Sequence, residues 1–393
     1  MVAYFSVALL LLYIIISIFA LKKGIMEHPE NDKAYKGLKV NDGVESLGSV
    51  NPYLSQLRKR RTAELSVNDY VEGILRGDVT VLSRAVTLVE SLRPEHQAVA
   101  QQVIEHCLPY SGKSVRVGIT GVPGAGKSTS IDAFGMHVLS QGEGKLAVLA
   151  VDPSSERSKG SILGDKTRME RLSLHPRAFI RPSASSGSLG GVARKTRETI
   201  ILCEAAGYDT IFVETVGVGQ SETAVCSMVD FFLLIQIAGA GDELQGIKRG
   251  IMEMADGIVI NKADGDNVEA ARRAAMHYRN ALQLFPMPMS GIRPSVLTYS
   301  GFFDIGIGEV WSMITDYIAK VKDNGSFDLR RNSQQRYWLY ESLEEQIKQR
   351  FYNAPGMDDM MAKYEQLLLS GKVTSFVAAS KLLEYYDNVN GER

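Results

Sequence analysis

Short runs of apolar residues alternate with longer amphipathic segments through the middle of the chain. Runs this apolar are typical of strands buried on both faces, as in a parallel sheet covered by helices. The pattern therefore predicts an α/β fold with a doubly wound, mostly parallel sheet. The five predicted strands are residues 115–119, 146–151, 210–213, 231–237 and 257–260.

Helical patterns dominate the segment before these strands. Ser66 and Asp78 are predicted N-caps, and Pro94 suits the first turn of a helix. Apolar side chains between them recur at helical spacing, namely Val79, Leu82, Ala85, Val86 and Val89.

Helical spacing returns after about residue 325. Leu339, Leu343 and Ile347 form one apolar stripe, which Phe351 extends. Such a stripe packs either onto the core of its own chain or onto a second subunit, and the pattern leaves both open. Further apolar positions lie on later segments, namely Leu367, Leu368, Phe376, Leu382 and Leu383.

The first 25 residues differ from the rest of the chain. Residues 2–21 are uncharged and nearly all apolar, and Lys22 and Lys23 follow them. Such a run is long enough to span a bilayer, but it has no basic segment before it, which argues against a cleaved signal peptide. We favour a gene-start error with translation from Met26, or a dispensable extension, over a true anchor. Membrane contact is expected only if this extension is real.

These patterns divide the chain into five predicted parts. A hydrophobic extension, a loose polar tail and a helical region precede the nucleotide domain, and a helical arm follows it. Their predicted bounds are 1–25, 26–55, 56–112, 113–325 and 326–393.

Charge and cysteine content exclude several classes of protein. Lys and Arg total 44 and Asp and Glu total 45, so a formal net charge of −1 gives no reason to expect a nucleic-acid partner. The basic run 58–61 is most simply a solvated helix end. Three scattered cysteines fit a reducing compartment, and six scattered histidines predict no zinc site. We therefore expect a cytoplasmic protein.

A phosphate-binding loop follows the first predicted strand. The run fits the pattern G-x-x-x-x-G-K-[ST] between a strand and a helix, where main-chain N–H groups and the helix N-terminus surround phosphate oxygens. Lys127 is expected to reach the β- and γ-phosphates and Ser128 to bind Mg²⁺. The residues of the loop are Gly121, Val122, Pro123, Gly124, Ala125, Gly126, Lys127 and Ser128.

A guanine-reading motif follows the strand at 257–260. Asn261 and Lys262 precede Asp264, whose carboxylate is able to accept hydrogen bonds from guanine N1–H and the 2-amino group. Adenine has no donors at those places, so GTP and GDP are the expected nucleotides. Downstream, the run Ser300, Gly301, Phe302 is predicted to offer a backbone N–H to guanine O6.

Three carboxylates are candidates for the Mg²⁺ shell. Asp152 and Glu214 each follow a predicted strand, and Asp165 lies in a glycine-containing loop. Helix capping is the alternative role for Asp152 and Glu214. The N–H of Gly217 is positioned to sense the γ-phosphate.

The sequence predicts slow hydrolysis. No Asp-x-x-Gly-Gln run occurs, and Gln220 lies three residues past Gly217. We therefore expect that hydrolysis is slow in isolation and is accelerated by a partner.

From residue 118 to 264 the chain resembles the MeaB/ArgK family of GTPases. The matching runs occur in the family's order, and the helical flanks at 56–110 and 325–388 are also similar to that family. Residues 1–25 have no counterpart there. The runs are 121–129, which includes Thr129, and 151–155, 160–168, 181–183, 187–194, 213–222, 241–248 and 261–264.

The resemblance implies a chaperone of adenosylcobalamin-dependent methylmalonyl-CoA mutase that gates cofactor loading and protects the mutase. It also implies a C-terminal dimerisation arm and hence a homodimer. Asp242 to Lys248 matches a mobile segment in which Lys248 assists hydrolysis once the mutase docks; without the resemblance, Lys248 reads as a surface lysine. Cobalamin is expected to be bound by the mutase.

Three other functions remain open from the residues alone. One is a nickel-insertion GTPase, although such proteins usually carry histidine- or cysteine-rich sites. Another is a nucleotide-dependent kinase of a transport system, which the run 261–264 disfavours. The third is a scaffold without catalysis.

Overall fold

The computed structural model describes residues 65–151, 169–182, 189–215, 221–239 and 249–391, all within one compact unit that begins at Leu65. The predicted extension 1–25, the tail 26–55 and residues 56–64 of the helical region lie outside the described residues. The predicted bounds at 113, 325 and 326 stay predictions.

One parallel sheet forms the centre of the described chain. Its strand order is β3-β2-β4-β1-β5-β6-β7, and every neighbouring pair is parallel. The doubly wound α/β prediction is therefore confirmed. The strands are β1 Val115–Gly121, β2 Leu146–Val151, β3 Ala178–Arg181, β4 Thr210–Thr215, β5 Phe231–Ile237, β6 Gly257–Asn261 and β7 Ser295–Thr298.

The predicted strands agree closely with these bounds. β2 and β5 match at both ends, and β1, β4 and β6 each extend one or two residues further. The pattern missed β3, because it has only four residues and ends in Arg181, which pairs with Glu90. A strand that short carries too little periodicity to be recognised.

Three helices precede the sheet, and their caps follow the sequence. The Ser66 hydroxyl accepts a hydrogen bond from Asp69 N, and the Asp69 carboxylate accepts one from Ser66 N. Asp78 Oδ1 accepts from the first free N–H groups of the next helix. Pro94 occupies the first turn of the third helix, as predicted. The helices are α1 Val67–Leu75, α2 Val79–Glu90 and α3 Pro94–Cys107.

Helices cover both faces of the sheet, which its apolar strands require. α4 (Lys127–Ser140) and α10 (Ile307–Asp323) pack on one face. The opposite face is covered by another set, and α1–α3 pack outside α6 of that set. That set is α6 Leu189–Ala205, α7 Ser221–Cys226, α8 Arg249–Met254 and α9 Val268–Gln283; the short α5 is Glu170–Ser173.

The chain ends in three helices, α11 Ser326–Tyr352, α12 Met357–Leu369 and α13 Ser375–Gly391. The predicted stripe on α11 is exposed: Leu339 is 65%, Leu343 51% and Ile347 55% accessible. The stripe therefore does not pack onto the described core of its own chain. None of the helices in the described ranges is long and apolar enough to cross a membrane.

The first turns of α11 are fixed to the base of the sheet by polar contacts. Arg331 makes two hydrogen bonds of 2.8 Å to the carboxylate of Asp230, which is 1% exposed, and donates to the carbonyl oxygens of Ser114 and Gly112. Trp338 Nε1 donates to Ser227 O at 3.0 Å. This part of α11 is therefore held rigidly against the turn between α7 and β5.

Arg331→Met should lower the free energy of unfolding by about 3 kcal/mol, because the change leaves the Asp230 carboxylate buried without its partner. Urea unfolding followed by circular dichroism measures the change. Arg272→Met is the matched control, since Arg272 pairs with Glu269 at the surface of α9 and should alter the midpoint little. Equal effects of the two substitutions would contradict the anchoring role of Arg331.

Candidate nucleotide site

The phosphate-binding loop lies between the carboxyl end of β1 and the start of α4, as the motif requires. Gly121 approaches β5 so closely that a Cβ would collide with Ile235 O. Gly126 has a φ of 85°, and a Cβ there would lie 2.7 Å from Asn261 Nδ2. Both positions therefore require glycine.

The remaining residues of the loop have simple placements. Val122 O accepts a hydrogen bond from Ala125 N at 3.1 Å, which closes a turn. Ala125 is buried, whereas Pro123, Gly124 and Thr129 are exposed. Their exposure leaves this side of the loop open to a ligand.

Lys127 extends back over the loop that precedes it. Its Nζ donates to Gly121 O at 2.9 Å. Burial lowers the pKa of the Lys127 ammonium, while the charges of Glu214 and Glu222 act in the opposite direction. A bound phosphate at this position would favour the charged form further, so the ammonium is suited to hold an anion.

Ser128 and Glu214 meet at the carboxyl edge of the sheet. The Ser128 hydroxyl lies 3.5 Å from Glu214 Oε1, and Glu214 is buried at the end of β4. Hydroxyl and carboxylate oxygens are the donors that Mg²⁺ takes in proteins, so these two residues fit the ion. In the part of the chain that the structure describes, no three His, Cys, Asp or Glu side chains come together to hold a metal.

Asn261 joins the phosphate half of the site to the base half. Its Nδ2 donates to Ala125 O at 2.7 Å, and its Oδ1 accepts from Gly301 N at 3.0 Å and Lys262 N at 2.8 Å. Asn261 is buried, and the exposed Lys262 has a φ of 60°. The amide of Asn261 thus fixes the spacing between the phosphate loop and the residues after β6 and β7.

Asp264 is oriented by the second predicted loop. Ser300 Oγ donates to Asp264 Oδ2 at 2.6 Å, which leaves Oδ1 of that partly exposed carboxylate for a ligand. Gly301 N is already bonded to Asn261, so it does not point at guanine O6 in this structure. Phe302 is exposed beside this group.

Sequence reasoning missed a buried pair beneath the loop. Ser130 Oγ donates to Gly126 O at 2.8 Å and shares a hydrogen bond of 2.6 Å with the Tyr299 hydroxyl. Burial raises the pKa of Tyr299, which keeps the phenol neutral. The signal was weak: Ser130 is two residues past the motif and Tyr299 directly precedes Ser300.

Five predicted site residues lie outside the described residues, namely Asp152, Asp165, Gly217, Asp242 and Lys248. The described strands β2 and β4 end one and two residues before Asp152 and Gly217 respectively. The structure brings together Lys127, Ser128 and Glu214 as one group and Asn261, Asp264 and Ser300 as another.

A family model described as methylmalonyl-CoA mutase-associated GTPase MeaB matches residues 82–356 of this chain. The chain is 46% identical over 309 residues to the GTPase ArgK of Escherichia coli, covering 79% of this chain and 92% of that protein. It is 43% identical over 324 residues to the mouse mitochondrial methylmalonic aciduria type A homolog, covering 80% and 78%.

A solved structure supports the same fold. The crystal structure titled LAO/AO transport system kinase aligns with a TM-score of 0.65 at 37% identity, covering 81% of this chain and 97% of that chain. The likeness extends over nearly all of that protein, so it includes the strands and loops that build the site.

Asn261→Leu should lower the free energy of unfolding by about 1–3 kcal/mol, because Ala125 O and Gly301 N lose their partner inside the protein. It should also weaken GDP binding, since the two halves of the site are no longer held at a fixed spacing. Thermal unfolding and calorimetric titration measure the two effects. Asn267→Ala, which removes an exposed bond to Lys262 O, is the control and should leave both nearly unchanged.

Proposed function

This chain belongs to the MeaB family of GTPases, and we propose that it acts as a GTP-driven chaperone of an adenosylcobalamin-dependent methylmalonyl-CoA mutase. In this role it binds the mutase, gates the loading of the cobalamin cofactor and protects the mutase from inactivation. The observation that carries the proposal is the Asn261 amide, which connects a phosphate-binding loop to a carboxylate suited to guanine. The mutase is suggested by the description of the family.

The described residues support a division of labour at the nucleotide. Lys127 and the main-chain N–H groups of the loop hold the β- and γ-phosphates, and Asp264 accepts from the guanine base. Ser128 and Glu214 are the residues that would hold Mg²⁺, together with Asp152 and Asp165. Bound Mg²⁺ neutralises charge on the phosphate oxygens.

Base recognition favours a GTPase over an ATP-dependent kinase of a transport system. A buried or half-buried carboxylate at Asp264 finds two donors on guanine and none at the same places on adenine. The name of the structural relative describes that protein, and the carboxylate is the feature of this chain that decides between the two functions.

Partner control of hydrolysis is part of the proposal. Gly217 senses the γ-phosphate, and the segment from Asp242 to Lys248 completes the site when the mutase docks. A switch of this kind links loss of the γ-phosphate to a change in the partner-binding surface. Hydrolysis by the chain alone is then slow.

Adding the mutase should raise the single-turnover rate of GTP hydrolysis about tenfold or more, because docking supplies the missing catalytic geometry. Lys248→Ala should lose this stimulation while keeping its affinity for GDP. Lys381→Ala, a change at an exposed lysine of α13, should respond as the wild type does. A fast rate that is indifferent to the mutase would refute the chaperone role.

We also propose that the arm at 326–393 forms a homodimer. The exposed stripe Leu339, Leu343 and Ile347 on α11 is joined by Phe376 and Leu383 of α13, which are exposed as well. Apolar side chains exposed in this number on adjacent helices are a recognised mark of a protein interface.

Leu343→Asp should convert the dimer into monomers, because a carboxylate at the centre of the apolar stripe would have to be buried. Sedimentation velocity of the full-length chain measures the mass. Leu284→Asp is the matched control, since Leu284 is an exposed leucine outside the arm and should leave the mass unchanged. A wild-type chain that sediments as a monomer would refute the proposal.

A cytoplasmic location fits the cysteines. Cys107, Cys203 and Cys226 are all free thiols. Burial raises the pKa of Cys107 to about 11, so that thiol stays protonated and unreactive. Free thiols are the rule in the reducing compartment where GTP is supplied.

A further inference from the structure

The loop that follows β7 is closed at its base and weakly packed at its tip. Ser300 and Ile305 exchange two backbone hydrogen bonds of 2.9 and 3.1 Å, which pin the two ends together. Between them, Phe302 is 78% and Phe303 59% exposed. Burial of apolar surface therefore contributes little to fixing the tip of the loop.

A cation from another part of the chain holds this tip. Arg171 of α5 donates to both carboxylate oxygens of Asp304, at 2.7 and 3.1 Å. The same guanidinium donates through Nε to Asp132 Oδ2 at 2.6 Å, and Asp132 lies on the phosphate-binding helix α4. Three segments of the chain, separated by up to 133 residues, therefore meet at one guanidinium group.

Both carboxylates are held in place for this role. Asp132 Oδ1 accepts from Leu172 N at 2.8 Å, and its side chain is 9% exposed. Asp304 adopts a φ of 55°, a left-handed conformation that Asp tolerates and that turns its carboxylate toward Arg171. The fork of a guanidinium suits two carboxylates at once, which a lysine ammonium matches poorly.

We propose that Arg171 is a positioning residue for recognition of the guanine base. It ties the loop 300–305 to the phosphate-binding helix, so that Ser300 keeps the Asp264 carboxylate oriented toward the base while the phosphates are held by the same helix. The proposal rests on base reading by Asp264, which belongs to the proposed function. Arg171 touches no nucleotide atom itself.

The test compares GDP with inosine diphosphate, which lacks the 2-amino group that Asp264 accepts. Calorimetric titration of the full-length chain gives both dissociation constants. Arg171→Met should reduce the preference for GDP about fivefold, the size expected when a half-exposed ion-pair network is lost. A role in stability alone would lower the melting temperature and leave this ratio unchanged.

A second variant guards against misfolding. Asp304→Asn keeps a residue that tolerates positive φ and removes the charge, so it should reduce the preference by a similar factor. The double variant should be no worse than either single one, because the two residues act through one contact. A wild-type ratio in both single variants, or additive losses in the double variant, would overturn the proposal.

Two controls separate this inference from its premise. Arg272→Met removes an arginine from a surface pair on α9 and should keep the wild-type ratio. Asp264→Asn should abolish most of the preference for GDP. If Asp264→Asn keeps the wild-type ratio, base reading by that carboxylate is wrong and the inference fails with it. If only the Arg171 and Asp304 variants keep it, the site stands and the positioning role is refuted.

Discussion

Parallel pairing of every neighbouring strand is the constraint on which the site depends. Because β1, β4, β6 and β7 run in the same direction, their carboxyl ends meet at one edge of the sheet. Lys127, Glu214, Asn261 and Ser300 each follow or end one of these strands and are delivered to the same place. A single reversed strand would carry its residue to the opposite edge, roughly 15–20 Å away for a strand of this length.

Within that frame, the side-chain amide of Asn261 converts neighbouring loops into one site. It satisfies a carbonyl of the phosphate loop and an N–H of the loop after β7, and no apolar side chain of its size is able to do both. Arg171 acts at the outer end of the same loop through charge. The base loop is therefore fixed at two points: by a buried neutral amide at its base and by a half-exposed guanidinium at its tip.

The C-terminal helices illustrate how stability and interaction are divided along one element. The first turns of α11 carry Arg331 and Trp338, which bond to the base of the sheet. Later turns carry the exposed stripe at 339–347. One helix thus begins as part of the rigid nucleotide domain and ends as an apolar surface, and a change in the turn between α7 and β5 would be transmitted along it.

The amino-acid sequence alone determined the fold class, the positions of five strands and the N-caps at Ser66 and Asp78. It also located the phosphate loop and the run 261–264. These features are encoded locally, because strand burial, helix capping and phosphate binding each depend on residue types within a few positions of one another. The short strand β3 escaped for the same reason, since four residues hold too little pattern.

Only the tertiary structure decided which of these local features touch. Asn261 and Ala125 are 136 residues apart in the chain, and Arg171 and Asp304 are 133 apart. No spacing rule relates such pairs, because their contact depends on the order of strands in the sheet and on the path of the loops between them. The exposure of the α11 stripe was likewise open in the sequence, since the same spacing suits a core or an interface. The folded chain left that stripe at the surface because its own sheet was already covered on both faces.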